Sequence, residues 1–232
     1  MHVIVLNGSP HRTHGNTHKL LAPFVEGMIE NGAQVETVHV RNLQVAPCKG
    51  CMSCWRSGGR CVQSDDMDWL RPKISACDVL VLGVPVYVDC MPGQLKIIMD
   101  RLVANIKPEI VLVDGHCRHP RQDGVSGPQR FALAGVCGFW ELDNFDPLVA
   151  WAEAMVRNFD AELAATLLRP HAYVYANLSP DAPEKQAVIT ALRDAGRQIA
   201  KGSAVCDETE AAVAAPLISL DEYLAQSQAL QK

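Results

Sequence analysis

The chain alternates short, continuously apolar runs with longer amphipathic segments. The apolar runs are rich in Val, Ile, Leu and Ala, which is typical of strands buried on both faces of a parallel sheet. The predicted strands are residues 2–7, 34–40, 78–84, 130–137 and 162–168. The predicted helices are residues 17–31, 94–105, 145–159 and 184–201, together with one that opens at the acidic residues 65–68.

Strands that alternate with helices in this way predict an α/β fold, a doubly wound sandwich around a five-stranded parallel sheet. Three strands run into loops rich in Gly and Pro, at Gly8, Pro85 and Gly138. In such sheets the ligand crevice lies at the carboxyl ends of the strands. We therefore expect one domain over residues 1–202, an exposed polar insertion over residues 116–127, and a tail over residues 203–232 that packs on the domain or on a partner protomer.

Composition and charge argue against a protein that binds nucleic acid or a membrane. The chain has 232 residues, of which 48% are hydrophobic and 20% charged, and its net charge of -5 gives no general attraction for nucleic acid or anionic membranes. No apolar stretch approaches the roughly 18 residues that span a bilayer. The first residues lack the basic start of a signal peptide, and the nine cysteines favour a reducing compartment. We expect a cytoplasmic protein that binds neither nucleic acid nor membrane.

Four of the nine cysteines lie in one short stretch with the spacing C-x2-C-x2-C-x6-C; they are Cys48, Cys51, Cys54 and Cys61. Three thiolates at intervals of three residues, closed by a fourth from further along, are typical of an iron–sulfur ligand loop. Zinc sites more often pair two C-x2-C motifs over a longer gap, and disulfides are rare in the cytoplasm. The spacing favours a cluster, and it leaves open a zinc site or redox-active thiols without a metal.

The loop after the first strand is suited to bind an anion. Ser9, Asn16 and Thr17 place polar side chains and backbone N–H groups at the start of the first helix, where the helix dipole favours negative charge. The loop matches neither the dinucleotide G-x-G-x-x-G pattern nor a Walker loop. It therefore suits a single phosphate, unless the Gly-Ser-Pro sequence is only a turn between strand and helix.

The loops after the third and fourth strands combine aromatic side chains with free backbone groups. Tyr87 precedes Gly93 in one loop, and Phe139 and Trp140 follow Gly138 in the other. Such loops can hold a flat heteroaromatic ring and hydrogen-bond its edge. Core or interface packing is the alternative for each aromatic side chain. The sequence offers no Ser-His-Asp order or carboxylate pair that predicts a hydrolase.

As a set, these motifs resemble the flavodoxin-like NAD(P)H-dependent FMN reductase superfamily and, within it, the iron–sulfur flavoproteins. The resemblance rests on Gly8-Ser9-Pro10, Gly15-Asn16-Thr17, the four-cysteine loop with Asp65-Asp66-Met67, Pro85-Val86-Tyr87, Pro92-Gly93-Gln94-Leu95-Lys96 and Asp100-Arg101. It implies the flavodoxin-like strand order 2-1-3-4-5. It also implies FMN held by Ser9, His11, Arg12, Asn16, Thr17, Pro85, Val86, Tyr87, Val88, Gly93, Cys137, Gly138, Phe139 and Trp140.

The resemblance further implies a [4Fe–4S] cluster on Cys48, Cys51, Cys54 and Cys61 and a homodimer or homotetramer. The function implied is an FMN-dependent oxidoreductase without catalytic residues beyond its cofactors, in which NAD(P)H or ferredoxin feeds FMN and cluster. One alternative is a cluster-free NAD(P)H-dependent flavin or quinone reductase, and another is a non-catalytic flavin- or metal-binding redox sensor. We expect the cysteine loop, with Met52 and Trp55, to lie at an interface near a partner's flavin; both side chains otherwise fold back onto their own subunit.

Overall fold

A computed structural model describes residues 1–229 of the chain. Within these residues the strands are β1 (His2–Asn7), β2 (Gln34–His39), β3 (Val79–Pro85), β4 (Val111–Val113), β5 (His116–Arg118), β6 (Arg130–Val136) and β7 (Glu162–Arg169). Five of them form a parallel sheet in the order β2-β1-β3-β6-β7, and β4 pairs with β5 as an antiparallel hairpin. Counted along the sheet strands alone this is the predicted order 2-1-3-4-5, so the predicted α/β fold and topology are confirmed.

Helices cover both faces of the sheet because every central strand is apolar on both sides. The helices are α1 (Asn16–Glu30), α2 (Ser53–Arg56), α3 (Met67–Ala76), α4 (Gly93–Arg101), α5 (Asp146–Asn158), α6 (Ala172–Asn177), α7 (Pro183–Ala200), α8 (Asp207–Ala214) and α9 (Leu220–Ala229). Side chains of α1 and α7 form a core with one face of the sheet, and those of α3, α4 and α5 form a core with the other. The predicted helix over residues 94–105 changes after Arg101 into a tighter 3-10 turn, Leu102–Asn105.

The segment after α7 packs on the domain within its own chain. Val205, Val213 and Leu217 are buried in the same core as α1 and α7, and the Val205 amide donates to the Ala164 carbonyl at 2.8 Å. The sequence predicts only one amphipathic patch here, whereas the described part of the segment forms two helices. Long-range contacts hold both helices: the Glu210 carboxylate of α8 accepts from the Thr166 amide of β7, and the Tyr223 hydroxyl of α9 donates to the Gly138 carbonyl. A local pattern does not reveal such contacts.

The polar insertion is partly ordered by a hairpin. The predicted exposed segment over residues 116–127 begins with β5, which pairs with β4, and the side chains of Ile110 and Leu112 beside it are largely exposed. Two backbone hydrogen bonds join the insertion to the chain that precedes it. The Gln122 amide donates to the Asn105 carbonyl of the 3-10 turn, and the Lys107 amide donates to the Pro120 carbonyl. Among residues 1–229, none of the helices is both long and apolar enough to cross a membrane.

Candidate functional site

The carboxyl ends of β1, β3 and β6, together with the segment that follows β7, enclose a cavity of about 300 Å³. Predicted flavin-binding residues that line it are Ser9, His11, Asn16, Thr17, Pro85, Val86, Tyr87, Cys137 and Gly138. The cavity lies where a parallel sheet of this topology binds its ligand, between the first and third strands. Its volume is at the lower end of the range for small-molecule sites.

One end of the cavity is built to receive an anion. Asn16 and Thr17 begin α1, so their backbone N–H groups have no partner within the helix. The Thr17 hydroxyl is buried and, among the described residues, has no hydrogen-bond partner. A Cβ atom on Gly15 would lie 2.3 Å from the Ser9 Oγ, so only glycine lets the loop close this tightly. A buried unpaired hydroxyl at a helix N-terminus fits one phosphate group.

The other end of the cavity is formed by a turn held in an uncommon backbone conformation. Val88 and Asp89 have φ angles of 48° and 61°, and the amide of Tyr87 donates to the Cys90 carbonyl at 2.9 Å across the turn. Positive φ at a β-branched residue is strained. The turn positions Tyr87, which is half exposed, at the mouth of the cavity.

Five predicted flavin-binding residues do not line this cavity; they are Arg12, Val88, Gly93, Phe139 and Trp140. Val88 is 96% exposed at the tip of its turn, and Phe139 is also largely exposed. Trp140 turns away toward the C-terminal segment, where its indole N–H donates to the Ile218 carbonyl at 3.2 Å and its ring stacks on His171.

Other residues at the cavity were missed by the sequence analysis; they are His14, Gly15, Val136, Ala172 and Tyr173. His14, not Arg12, is the basic residue that reaches the cavity beside His11. Tyr173 arrives from the segment after β7. The sequence held one signal that could have found Tyr173. The predicted fifth strand is parallel to the others, so the loop after it must lie at the same ligand-binding edge of the sheet.

Behind Trp140 lies a buried basic pair. Arg169 is fully buried and donates to the carbonyls of Val213 at 2.6 Å and Ala215 at 2.7 Å, and burial lowers its pKa to about 10. Burial, with the neighbouring Arg169 charge, lowers the pKa of His171 to about 4. The His171 Nε2 accepts from the Leu217 amide at 3.1 Å, so the neutral imidazole is the form that fits.

The four-cysteine loop forms a second, smaller cavity. Cys48, Cys51, Cys54 and Cys61 all line it, together with Arg101 from the end of α4. Two backbone amides lie near sulfur atoms, that of Gly50 at 3.5 Å from the Cys48 Sγ and that of Gln63 at 3.5 Å from the Cys61 Sγ. The Arg101 guanidinium lies 3.6 Å from the Cys61 Sγ. Such N–H···S contacts are the protein's means of stabilising thiolate ligands.

The thiols differ in their surroundings. Burial raises the pKa of Cys54, whereas hydrogen bonds from Ser53 lower the pKa of the exposed Cys51. Elsewhere in the chain, burial raises the pKa of Cys77 to about 12, and its thiol donates to the Ile74 carbonyl. Residues 1–229 contain no group of three or more His, Cys, Asp or Glu side chains arranged to hold a metal ion.

Met52 and Trp55, the apolar side chains of the cysteine loop, have different environments. Met52 is 40% exposed in a left-handed turn, with a φ of 53°. Trp55 is half-buried against the insertion, with its ring centroid 5.1 Å from that of His119. Trp55 therefore folds back onto its own subunit, while Met52 stays available on the surface.

Three comparisons place the chain among known proteins. Residues 1–115 match the family model of NADPH-dependent FMN reductases. The chain is 39% identical, over 44% of its length and 53% of the relative, to an iron–sulfur flavoprotein of Methanosarcina thermophila. An iron–sulfur flavoprotein of Methanocaldococcus jannaschii is 28% identical over 72% of the chain and 81% of the relative.

A solved structure of an FMN-dependent NADH-azoreductase from Bacillus anthracis in complex with FMN is similar in fold, with a TM-score of 0.59, 16% identity, and coverage of 86% of this chain and 99% of that one. The chain spans about half the length of the first curated relatives it matches, 46–53%. The matched region contains the loop from Ser9 to Thr17, here called the anion loop, the strained turn at Val88 and Asp89, and all four cysteines of the cysteine loop. Residues 1–115 of this chain are therefore similar to the NADPH-dependent FMN reductase family.

Proposed function

We propose that this protein is an FMN-dependent oxidoreductase that takes electrons from NAD(P)H. The observation that carries the proposal is the unpaired, buried Thr17 hydroxyl at the start of α1, inside the same cavity as the loops after β3 and β6. That arrangement fits a ligand with one phosphate at one end and a flat ring at the other. The family match over residues 1–115 supports the same assignment.

In this proposal the chain's own residues bind and orient the cofactor. Ser9, Asn16 and Thr17 hold the phosphate, and Val86, Tyr87, Cys137 and Gly138 border the ring. When bound, FMN supplies the two-electron chemistry that accepts a hydride from NAD(P)H. Arg12 and Trp140 do not line the cavity, and the Trp140 indole N–H donates to the Ile218 carbonyl.

We assign Cys48, Cys51, Cys54 and Cys61 to a [4Fe–4S] cluster, which supplies one-electron chemistry. The assignment is supported by the single cavity that all four thiols line, by the N–H groups aimed at two of the sulfur atoms, and by the similarity to proteins named iron–sulfur flavoproteins. None of the nine cysteines, all within the described residues, forms a disulfide, which suits a protein of the reducing cytoplasm.

The assembly we propose is a homodimer or homotetramer in which the cysteine loop, with the exposed Met52, faces a partner's flavin. NAD(P)H, ferredoxin or a quinone would exchange electrons with the protein. A cluster-free flavin or quinone reductase is the second candidate. It is favoured by the lack, within the described residues, of side chains gathered around one metal-ion position.

The flavin assignment is tested by denaturing purified protein and identifying the flavin released. We expect one FMN per chain, because the anion loop is sized for one terminal phosphate and not for a pyrophosphate. Release of FAD, or of no flavin from protein refolded with excess FMN, would contradict the proposal.

A further inference from the structure

The anion end of the flavin cavity holds two histidines and no permanently charged cation. Within residues 1–229, the cavity lining contains His11 and His14 but no Lys, Arg, Asp or Glu side chain. Arg12, which lies between the two histidines in the sequence, does not line the cavity. Histidine is the side chain whose charge changes between pH 5 and 8. The positive charge that this end of the cavity can offer therefore depends on the pH.

Backbone hydrogen bonds fix both histidines at the entry to α1. The His11 amide donates to the Ser9 hydroxyl at 3.2 Å, and the His14 amide donates to the His11 carbonyl at 3.0 Å. Both imidazoles are exposed, so either one can take up a proton without a burial penalty. They line the same cavity as the buried Thr17 hydroxyl, which has no partner among the described residues.

The charge of a bound phosphate needs more than the helix can supply. A phosphate monoester carries about 1.5 to 2 negative charges near pH 7. A helix N-terminus supplies roughly half a positive charge, and the Thr17 hydroxyl adds a dipole without a net charge. Moving an anion out of water is unfavourable unless its charge is compensated. Among the described lining residues, only His11 and His14 can become positively charged near neutral pH.

The histidines that lie behind this end of the cavity leave the proton to His14. His18 is one turn further along α1, and its ring centroid is 6.4 Å from that of His39 at the end of β2. Partial burial, with the neighbouring His39 and His14, lowers the pKa of His18. A proton on His14 therefore disfavours a second proton on His18.

The other walls of the cavity cannot supply the positive charge. Their titratable side chains are Tyr87, Cys137 and Tyr173, which become negative when they ionise. Burial raises the pKa of Tyr87 and of Cys137, which favours their neutral forms. The carboxylates of Asp89 and Glu141 are close enough to raise the pKa of Cys137 further, but neither residue lines the cavity.

We propose that His11 and His14 supply the positive charge opposite the FMN phosphate, so that FMN binding takes up a proton and weakens as the pH rises. This inference rests on the proposed flavin in the cavity. An anionic partner stabilises the charged form of a histidine. The complex then holds more protons than the separate protein and FMN, and by linkage the affinity falls with rising pH. Riboflavin, which lacks the phosphate, should bind without this dependence.

The test is isothermal titration calorimetry of the full-length protein freed of FMN, in two buffers of different ionisation enthalpy at pH 7.5. The difference between the two heats gives the number of protons taken up per flavin bound. We expect at least about half a proton for FMN and none for riboflavin. The FMN Kd should rise at least about fivefold from pH 7 to pH 8.5, where the phosphate of free FMN, with a second pKa of about 6, is already ionised.

Two sets of variants separate the histidines from the rest of the loop. His11→Asn combined with His14→Gln should bind FMN more weakly at pH 7, take up no proton, and show a Kd that changes by less than about twofold up to pH 8.5. Its riboflavin affinity should match the wild type, which shows that the fold is intact. His14→Arg carries a permanent charge and should bind FMN more tightly than the wild type at pH 8.5. His116→Gln on the exposed hairpin is the matched control and should keep the wild-type proton uptake.

Two outcomes would overturn the inference while leaving the flavin assignment intact. One is FMN binding by the wild type without proton uptake, or with an uptake that the double variant retains. The other is an Arg12→Gln protein that binds FMN more weakly at both pH values while the double histidine variant binds like the wild type, since the charge would then come from Arg12. Protein that binds neither FMN nor riboflavin would instead contradict the proposed function.

Discussion

Arg101 and Asp65 form a buried ion pair at the base of the cysteine loop, with the Arg101 Nη1 2.6 Å from the Asp65 Oδ2. Their side chains are 2% and 11% exposed. Both side chains also bind the backbone of Ala46, at the start of the loop: Asp65 accepts from the Ala46 amide, and Arg101 donates to the Ala46 carbonyl. Burial favours the neutral acid, but the hydrogen bonds from Arg101, Ala46 and Met67 outweigh it and lower the pKa of Asp65.

Removing one member of this pair should loosen the cysteine loop. Arg101→Met leaves the Asp65 carboxylate buried without its partner, which costs about 3–5 kcal/mol when an ion pair is fully buried. We expect a lower free energy of unfolding in urea and faster reaction of the loop thiols with a thiol reagent in metal-free protein.

The matched control for this prediction is Asp100→Asn, which breaks the exposed pair between Lys96 and Asp100 on α4. Exposed pairs contribute roughly 0–1 kcal/mol, so its unfolding free energy and thiol reactivity should stay close to the wild type. Equal effects of the two substitutions would show that the buried pair does not hold the loop.

The Thr17 hydroxyl should contribute directly to FMN affinity. Thr17→Val keeps the shape of the side chain and removes the hydroxyl that is buried in the cavity. A hydrogen bond to a charged group contributes about 1.5–3 kcal/mol, so the FMN Kd should rise by about tenfold to a hundredfold. Thr17→Glu should abolish binding through charge repulsion.

The control for Thr17 is Thr190→Val, because the exposed Thr190 hydroxyl donates to the Gln186 carbonyl of its own helix α7 and does not line the cavity. Fluorescence titration of flavin-free protein measures both affinities. An FMN Kd that is the same for Thr17→Val and wild type would place the phosphate elsewhere.

The four loop cysteines should act as one ligand set. Cys51→Ala or Cys54→Ala should remove iron and inorganic sulfide together while FMN stays bound, because the two cavities share no residue. Cys77→Ala is the control, since Cys77 is buried beside Ile74, away from the loop, and its pKa is raised to about 12. Retention of iron in Cys51→Ala and Cys54→Ala would contradict the ligand assignment.

His171 should make the protein sensitive to acid. Its pKa in the folded protein is lowered to about 4, whereas a histidine in an unfolded chain titrates near 6.5. Between these values the unfolded state binds the proton and the folded state does not. The stability from this residue is therefore complete above about pH 6.5 and falls as the pH decreases toward 4, by up to about 1.4 kcal/mol per pH unit.

The pH dependence is checked by urea unfolding of wild type and His171→Gln between pH 7 and pH 4.5. Gln keeps an acceptor for the Leu217 amide and cannot take up a proton, so its loss of stability in acid should be smaller. His116→Gln on the exposed hairpin is the control and should follow the wild type. Parallel curves for wild type and His171→Gln would refute this role.

The fold and the position of the site could be predicted because both depend on local pattern. The continuous apolar run of β3 specifies a buried strand, and the polar residues from Ser9 to Thr17 specify a loop entering a helix. The edge at which three such loops meet then follows from the parallel topology. The anion loop could be predicted from its own residues, without information from the rest of the chain.

The remaining wall of the site depends on contacts between distant residues. Trp140 follows Gly138 as an aromatic beside a flavin loop should, yet its ring is held by His171 and by the Ile218 carbonyl on the C-terminal segment. Tyr173 enters the cavity because the His171 amide donates to the Phe139 carbonyl at 2.6 Å. The pairing of Asp65 with Arg101 spans 36 residues. None of these pairings leaves a periodic signal in the sequence; Asp65 and Arg101 each lie in a motif of the family resemblance, but neither motif indicates that the two side chains pair.

The presence of FMN together with a [4Fe–4S] cluster is tested most directly by the absorption spectrum of anaerobically purified protein, with iron, sulfide and zinc measured on the same sample. We expect flavin bands on a broad iron–sulfur absorbance, with about four iron and four sulfide per FMN. Flavin bands alone from protein reconstituted with iron and sulfide, or zinc in place of iron, would contradict the cluster on Cys48, Cys51, Cys54 and Cys61.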